Sequence, residues 1–346
     1  MAIFVKKTLP GFVFLGIGIA LILGLLFKIN PSQIWSSILR FNFLEFLVII
    51  TLTFLGIFIG IWRGQLILRS QGIKMPFWKL FFVGMAGLAF SYLTPLVYVG
   101  GEGVKGYLLN QQFNVPWRKA AVFLAIDKLF EITAAFFVVF AGVIVLIFYL
   151  GFSGLTQAML TIVGSVGALS FMFILFYLVL FQKKKVFTSV LKFFRLEKTR
   201  LALVVMGAED DILSFFDPTS SDMWKAWFLS LLRQLFQITR HVLIIYFLGR
   251  GLQIGASLMS LSILYLGYAV PIPAALGVQE AFQSILFALF GWGAGEGLAL
   301  SLILRASDIF VVGIGVTVLL KYGIKFMTRT ATYLMDAVKS ENSHNT

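Results

Sequence analysis

Apolar residues fill this chain in long runs, and polar residues gather between them. The runs at about 9–29, 43–62, 119–149, 158–182, 224–248 and 297–320 approach or exceed the ~20 residues an α-helix needs to cross hydrocarbon. Each predicts a full transmembrane helix. Two more apolar stretches, 78–112 and 256–291, are broken inside. The first break holds Pro95 and Gly100-Gly101, with Glu102 directly after. The second holds Pro271, Pro273 and Gly277, with Glu280 three residues on. Non-helical backbone at membrane depth is tolerated only where protein buries it or it lines a water-filled cavity. The breaks therefore predict two hairpins that enter the membrane, turn, and enclose a polar space.

Charge between the runs predicts sidedness, because cytoplasmic loops collect Lys and Arg. The 183–223 connection holds Lys183, Lys184, Lys185, Lys192, Arg195, Lys198 and Arg200. The 322–346 tail holds Lys325, Arg329 and Lys339, and Lys6 and Lys7 precede the first run. All three read as cytoplasmic, whereas the uncharged 150–157 loop reads as outside. Counting crossings from these anchors leaves 78–112 starting and ending on the inner face and 256–291 on the outer face. The chain thus reads as an all-α polytopic membrane protein, with about six full transmembrane helices and two re-entrant helical hairpins in one membrane domain.

A shift of 178 residues lays Pro95 on Pro273 and Glu102 on Glu280, and brings 43–149 onto 221–327. The element order matches without gaps, and the crossing count gives the two halves opposite orientations. This is the pattern of an inverted repeat, an arrangement that places transporter sites near the bilayer midplane.

Composition narrows the chemistry. The chain is 60% hydrophobic and 12% charged, against the ~25% charge of soluble domains. It has no cysteine, so disulfides and thiolate nucleophiles are excluded, and its two histidines, His241 and His344, do not make a His-rich metal site. No metal or other cofactor is expected. The first run is long enough to stay in the membrane rather than be cleaved as a signal peptide. The net charge of +13 reflects topology and attraction to anionic headgroups rather than nucleic acid. The tryptophans Trp35, Trp78, Trp117, Trp224 and Trp292 fall at predicted helix ends, as interfacial belts do.

The candidate site residues are charges inside the apolar runs. Glu102 and Glu280 each start the return limb of a hairpin, where free N–H groups and the helix dipole favour an anion. Asp127 and Glu131 share a helix face beside Lys128, Arg305 and Asp308 share one three residues apart, and Arg233 and Arg240 lie two turns apart. An ionised residue at a helix centre costs about 2.5–3.5 kcal/mol on insertion scales, so these groups must pair with one another or line a hydrated path. Both readings stand for each: a substrate or proton site, or an ion-pair staple such as Glu102 or Glu131 with Arg305. Arg63 and Lys105 are cations near the inner hairpin, suited to a lipid phosphate or to simple anchoring. The acidic run Glu209-Asp210-Asp211 reads as a solvated face rather than a metal site.

The stretches PLVYVGGEGVKGYLL, LAIDKLFE, VPIPAALGVQEAF and SLILRASDIF resemble the membrane domain of lysylphosphatidylglycerol synthases over about 10–322. The same domain occurs as stand-alone flippase-like relatives, archaeal ones linked to lipid-linked glycans and bacterial ones linked to hopanoids. Lys105 and Lys128 stand where arginine is usual, and Ala274-Ala275 replace glycine-type residues. The resemblance implies lipid translocation, with Glu102, Lys105, Asp127, Lys128, Glu280 and Arg305 at matching positions.

The preferred expectation is a flippase or transporter of a polar or phospholipid headgroup in the cell membrane, with lipids as partners and a separate lipid-modifying enzyme as a further one. The alternative is an intramembrane headgroup transferase, or its membrane subunit. The 183–223 connection and the 322–346 tail are short for a soluble aminoacyl-transferase domain, so aminoacyl transfer by this chain alone is not expected.

Overall fold

The computed structural model describes residues 31–94, 100–151, 154, 156–195 and 199–344, with Ala20 and Gly24; side chains near the C-terminus are described through Tyr322. The predicted 9–29 span, apart from Ala20 and Gly24, and Pro95 lie outside the described residues. Among these residues all regular structure is helical, in the order α1 (Pro31–Leu39), α2 (Phe43–Ser70), α3 (Phe77–Leu93), α4 (Glu102–Phe113), α5 (Trp117–Leu150), α6 (Gln157–Phe181), α7 (Val186–Phe193), α8 (Arg200–Phe215), α9 (Ser221–Ile245), α10 (Ile254–Tyr268), α11 (Val278–Leu289) and α12 (Ala294–His344).

Among the described residues, five segments are long and apolar enough to cross a membrane: Phe43–Ser70, Trp117–Leu150, Met159–Phe181, Ser221–Arg250 and Ala294–Tyr322. They correspond to five of the six predicted spans, and the chain is a multi-pass integral membrane protein. Two differences from the sequence reading stand out. The short helix α1 precedes α2, and the 183–223 connection contains two helices, α7 and α8, that the sequence reading did not specify.

Helices start where their sequences supply caps. Asn42 accepts from the Glu45 N–H at 2.9 Å while Glu45 accepts from the Asn42 N–H at 2.8 Å, closing a reciprocal capping box on α2. Thr156, Thr199 and Ser220 cap α6, α8 and α9 in the same way with one side-chain oxygen each.

The two interrupted stretches become helix pairs, α3 with α4 and α10 with α11. Their helices have 17, 12, 15 and 12 residues. At 1.5 Å per residue none exceeds about 26 Å, short of the ~30 Å hydrocarbon core. Each pair packs on itself, and its first helix also packs on the long last helix of the other half: α3 on α12, and α10 on α5. The opening helices α2 and α9 pack on each other. Exchanging 43–150 with 221–322 leaves this set of pairings unchanged.

Without a hydrophobic force between helices in lipid, close packing depends on small residues. A β-carbon at Gly142 of α5 would lie 2.8 Å from the Ser262 Cβ of α10, and one at Gly315 of α12 would lie 2.8 Å from the Ala89 Cβ of α3. These glycines let the exchanged contacts form. Ser262 then donates across to the Val138 carbonyl at 3.0 Å. The main apolar core joins α2, α3, α4, α5 and α8 around Phe81, Phe123, Phe130 and Phe216. Trp35, Trp78, Trp117 and Trp224 are all more than half exposed near helix starts, as interfacial anchors require.

Candidate functional site

Between α2, α3, α4, α5, α9, α10 and α12 lies a cavity of about 250 Å³. Five cations face it, Arg63, Lys105, Lys128, Arg233 and Arg240, along with four anions, Glu102, Asp127, Glu131 and Asp308. Those on the long helices α2, α5, α9 and α12 sit within two turns of the middle of their apolar spans. The cavity is therefore a charged space inside an otherwise apolar bundle.

The first helix pair supplies one wall. At its turn the Gly101 N–H donates to Ser91 Oγ at 2.7 Å, which pins the start of α4 on the end of α3. A β-carbon at Gly101 would run into the Gly87 carbonyl, so only glycine lets the two backbones approach this closely. Glu102 opens α4 at this point. Its Oε1 accepts from Lys105 at 3.1 Å and from Lys128 of α5 at 3.0 Å. Lys128 also reaches Glu131 at 2.6 Å, and Glu131 in turn accepts from Arg233 of α9 at 3.1 Å. The result is one alternating chain of five charges, Lys105–Glu102–Lys128–Glu131–Arg233, tying α4, α5 and α9 together. Three of the five are positive. The Glu102 Oε2 atom is buried and has no hydrogen-bond partner among the described residues.

Two more pairs flank this chain. Arg63 of α2 reaches Asp127 with Nε at 2.9 Å and Nη2 at 2.7 Å, and Ser230 with Nη1 at 3.0 Å. Arg240 of α9 reaches Asp308 of α12 at 2.9 Å through Nη2, while its buried Nε has no partner among the described residues. Tyr265 and Tyr268 of α10 and Tyr92 of α3 add hydroxyls to the wall.

The second helix pair is built differently. After Pro273, Ala274 and Ala275 have φ of 53° and 48°, and Gly277 has φ of 79°. Left-handed backbone costs an alanine about 1–2 kcal/mol. Arg305 holds the turn in place: Nη1 donates to the Ala274 carbonyl at 3.1 Å, Nη2 to the Ala275 carbonyl at 3.2 Å, and Nε and Nη2 to the Glu280 carboxylate. Glu280 also accepts from the Gly277 N–H at 2.8 Å and is fully buried. Arg305 Nη1 also donates to the Tyr92 hydroxyl of α3 at 3.4 Å, but neither Glu280 nor Arg305 is itself in the cavity wall.

Of the ten sequence candidates, the structure thus brings Glu102, Lys105, Asp127, Lys128, Glu131, Asp308, Arg240 and Arg63 to one cavity, and sets Glu280 and Arg305 beneath the second turn. The expected staple of Glu102 or Glu131 with Arg305 is absent: Arg305 binds Glu280, and Asp308, three residues away, binds Arg240. Of the predicted breaks, Gly100-Gly101 and Pro271, Pro273 and Gly277 do fall between the paired helices.

Sequence reasoning left out Ser230, Gln234 and Gln237, yet they were readable. With Arg233 and Arg240 they recur every three or four residues, a polar stripe down one face of α9. Tyr92, Tyr265 and Tyr268 carried no such signal.

The acidic run is also more than a solvated face. Glu209 is buried and caps α7, accepting from the Phe187 N–H at 2.7 Å and from the Thr188 N–H and hydroxyl at 2.8 and 2.6 Å. Asp210 pairs with Lys185 at 2.6 Å and Asp211 with Arg118 at 2.8 Å. No group of three metal-type ligands occurs among the described residues.

Comparison with known proteins gives one match, to the family model of the lysylphosphatidylglycerol synthase TM region over residues 13–315. No curated protein and no solved structure matches. The matched span contains every residue of the charged cavity and of the clamped second turn, and on that coverage the chain belongs to the family of the lysylphosphatidylglycerol synthase transmembrane region.

Proposed function

We propose that this protein moves a lipid across the bilayer, with the headgroup passing through the charged cavity while the acyl chains stay in the membrane. The observation that carries the proposal is the cavity itself: nine ionisable side chains around one space at mid-span. A pure staple has no reason to keep a buried carboxylate oxygen on Glu102 and a guanidinium nitrogen on Arg240 without partners among the described residues, since an unmet buried polar atom costs about 1–3 kcal/mol. A polar headgroup that satisfies them recovers that cost. The excess cation in the Lys105–Arg233 chain suits a phosphate, and Glu102 suits a cationic group or a coupling proton.

In this reading the two helix pairs are re-entrant hairpins of an inverted repeat, 43–149 and 221–327. The 183–223 connection and both termini lie on the cytoplasmic side of the cell membrane, and a separate enzyme supplies the lipid. Support comes from the exchange-symmetric packing and from helices too short to cross hydrocarbon. The two hairpins have different duties: the second is locked by Arg305, and the first faces the cavity and contacts the headgroup.

Reconstitution tests the reading. Purified protein in liposomes carrying labelled phospholipids is expected to make the inner-leaflet label extractable, which protein-free liposomes do not. Unchanged inner-leaflet protection with every anionic, zwitterionic and cationic phospholipid in the panel overturns it. The native chain is free of cysteine, so single cysteines report topology cleanly. A cysteine within 113–117 is expected to react only from the cytoplasm and one within 292–296 only from outside; the same face for both defeats the inverted repeat.

A further inference from the structure

The α7 helix has no role in the cavity, yet its surface is unusual. Val186, Phe187, Val190, Phe193 and Phe194 are 47%, 63%, 49%, 81% and 63% exposed. At 100° per residue they fall in one stripe about 120° wide. The opposite side is committed: Thr188 is buried, bonded to Glu209 of α8. Thus α7 turns its polar anchor point inward and its phenylalanines outward.

Two further facts identify what covers this stripe. First, α7 begins just after α6 ends at Phe181, with only Gln182–Lys185 between. Four residues span at most about 14 Å, so α7 cannot leave the headgroup zone at the end of a membrane span. Second, the stripe is flanked at its two ends by Lys183, Lys184 and Lys185 before α7 and Arg195 after it, all exposed. Lys183 and Lys185 are paired with Asp217 and Asp210, while no ion pair of Lys184 or Arg195 occurs among the described contacts. A short helix with an aromatic face and a basic border is the composition of an in-plane membrane anchor selective for anionic lipid.

We propose that α7 lies in the plane of the bilayer interface, with Phe187, Val190 and Phe193 inserted and the flanking Lys184 and Arg195 bound to anionic headgroups. Its Glu209 latch passes to α8, where Arg118, at the start of α5, donates to the Gly207 carbonyl at 2.7 Å and pairs with Asp211. The anchor is thereby tied to the helix that carries Lys128 and Glu131.

The test uses the full chain with a single cysteine at Phe193 or, on the polar side, at Ser189, each carrying an environment-sensitive fluorophore. In vesicles containing phosphatidylglycerol, the label at 193 is expected about 5–10 Å below the headgroup boundary. It should be blue-shifted and quenched by brominated acyl chains, whereas the label at 189 should be neither. Lys184→Gln with Arg195→Gln is expected to abolish the difference in quenching at 193 between phosphatidylglycerol and pure phosphatidylcholine vesicles. A label at 193 that reports water, or one shielded by a second protein copy but untouched by bromolipid, overturns the proposal. Equal quenching in both lipids with Lys184 and Arg195 unsubstituted overturns its anionic selectivity.

Discussion

Gly101→Ala is a one-carbon perturbation whose effect can be worked from the turn of the first helix pair. The added β-carbon would lie 2.6 Å from the Gly87 carbonyl carbon and 2.7 Å from Ser91 Oγ. Unstrained contacts between carbons need about 3.5 Å. The first obstacle is backbone, so no rotamer change relieves it, and α3 and α4 must separate by roughly 1 Å. Overpacking of this kind costs about 1–3 kcal/mol, and loss of the Gly101–Ser91 hydrogen bond adds about 0.5–1.5 kcal/mol. The sum is about 2–4 kcal/mol, together with a displaced Glu102. Gly103 provides the control. It lies two residues on, in the same helix, and a β-carbon there meets nothing within 4 Å. Alanine at a helical position is favoured over glycine by about 1 kcal/mol. The assay is the apparent melting midpoint of the purified protein in detergent, read by retained monodisperse peak. Gly101→Ala should melt well below the unsubstituted protein, and Gly103→Ala at or above it. Equal midpoints for the two variants would refute the close-approach argument.

Two other substitutions separate the cavity from the clamp. Glu102→Gln should leave the protein inserted, at a cost of about 1 kcal/mol as for other cap changes, while abolishing lipid movement; flipping at the unsubstituted rate across several pH values rules out the role given to this carboxylate. Arg305→Ala should act on folding instead, destabilising by about 3–5 kcal/mol because it leaves Glu280 charged and unpaired in the core, and Arg305→Lys should fail to rescue it, since a compact ammonium does not reproduce the planar fork that spans two carbonyls and both carboxylate oxygens. A midpoint for Arg305→Lys equal to that of the unsubstituted protein would contradict the clamp.

The membrane spans were legible because runs of twenty apolar residues leave few alternatives. The helix breaks were legible because Pro and Gly are costly there unless required. The charged residues of the cavity could be picked out individually, because lipid penalises each of them. Their pairing could not. Asp127 and Glu131 are four apart on one helix, yet one meets Arg63 of α2 and the other Arg233 of α9. Partner choice depends on how helices rotate against each other, which single-chain periodicity does not encode. The same limit hid the difference between Glu102 and Glu280. Equivalent by the 178-residue shift, they diverge because Arg305 satisfies Glu280 fully, while Glu102 shares two lysines across an open space. The apolar stripe of α7 went unread for another reason: the lysine content of the 183–223 connection spoke for sidedness and drew attention from the pattern between the lysines.

The central claim, that lipid crosses through this cavity, is tested most directly by plugging it. Thr53 lines the cavity and is close in size to cysteine, whereas Leu55, two residues on, is exposed on the bundle surface and is not part of the wall. The cysteine-free background allows each to be modified alone. In proteoliposomes, Thr53→Cys should flip lipid until a bulky thiosulfonate is attached and recover when a reductant removes it, with Leu55→Cys indifferent to the same treatment. Complete modification at position 53, verified by mass, with flipping unchanged would place the lipid path elsewhere.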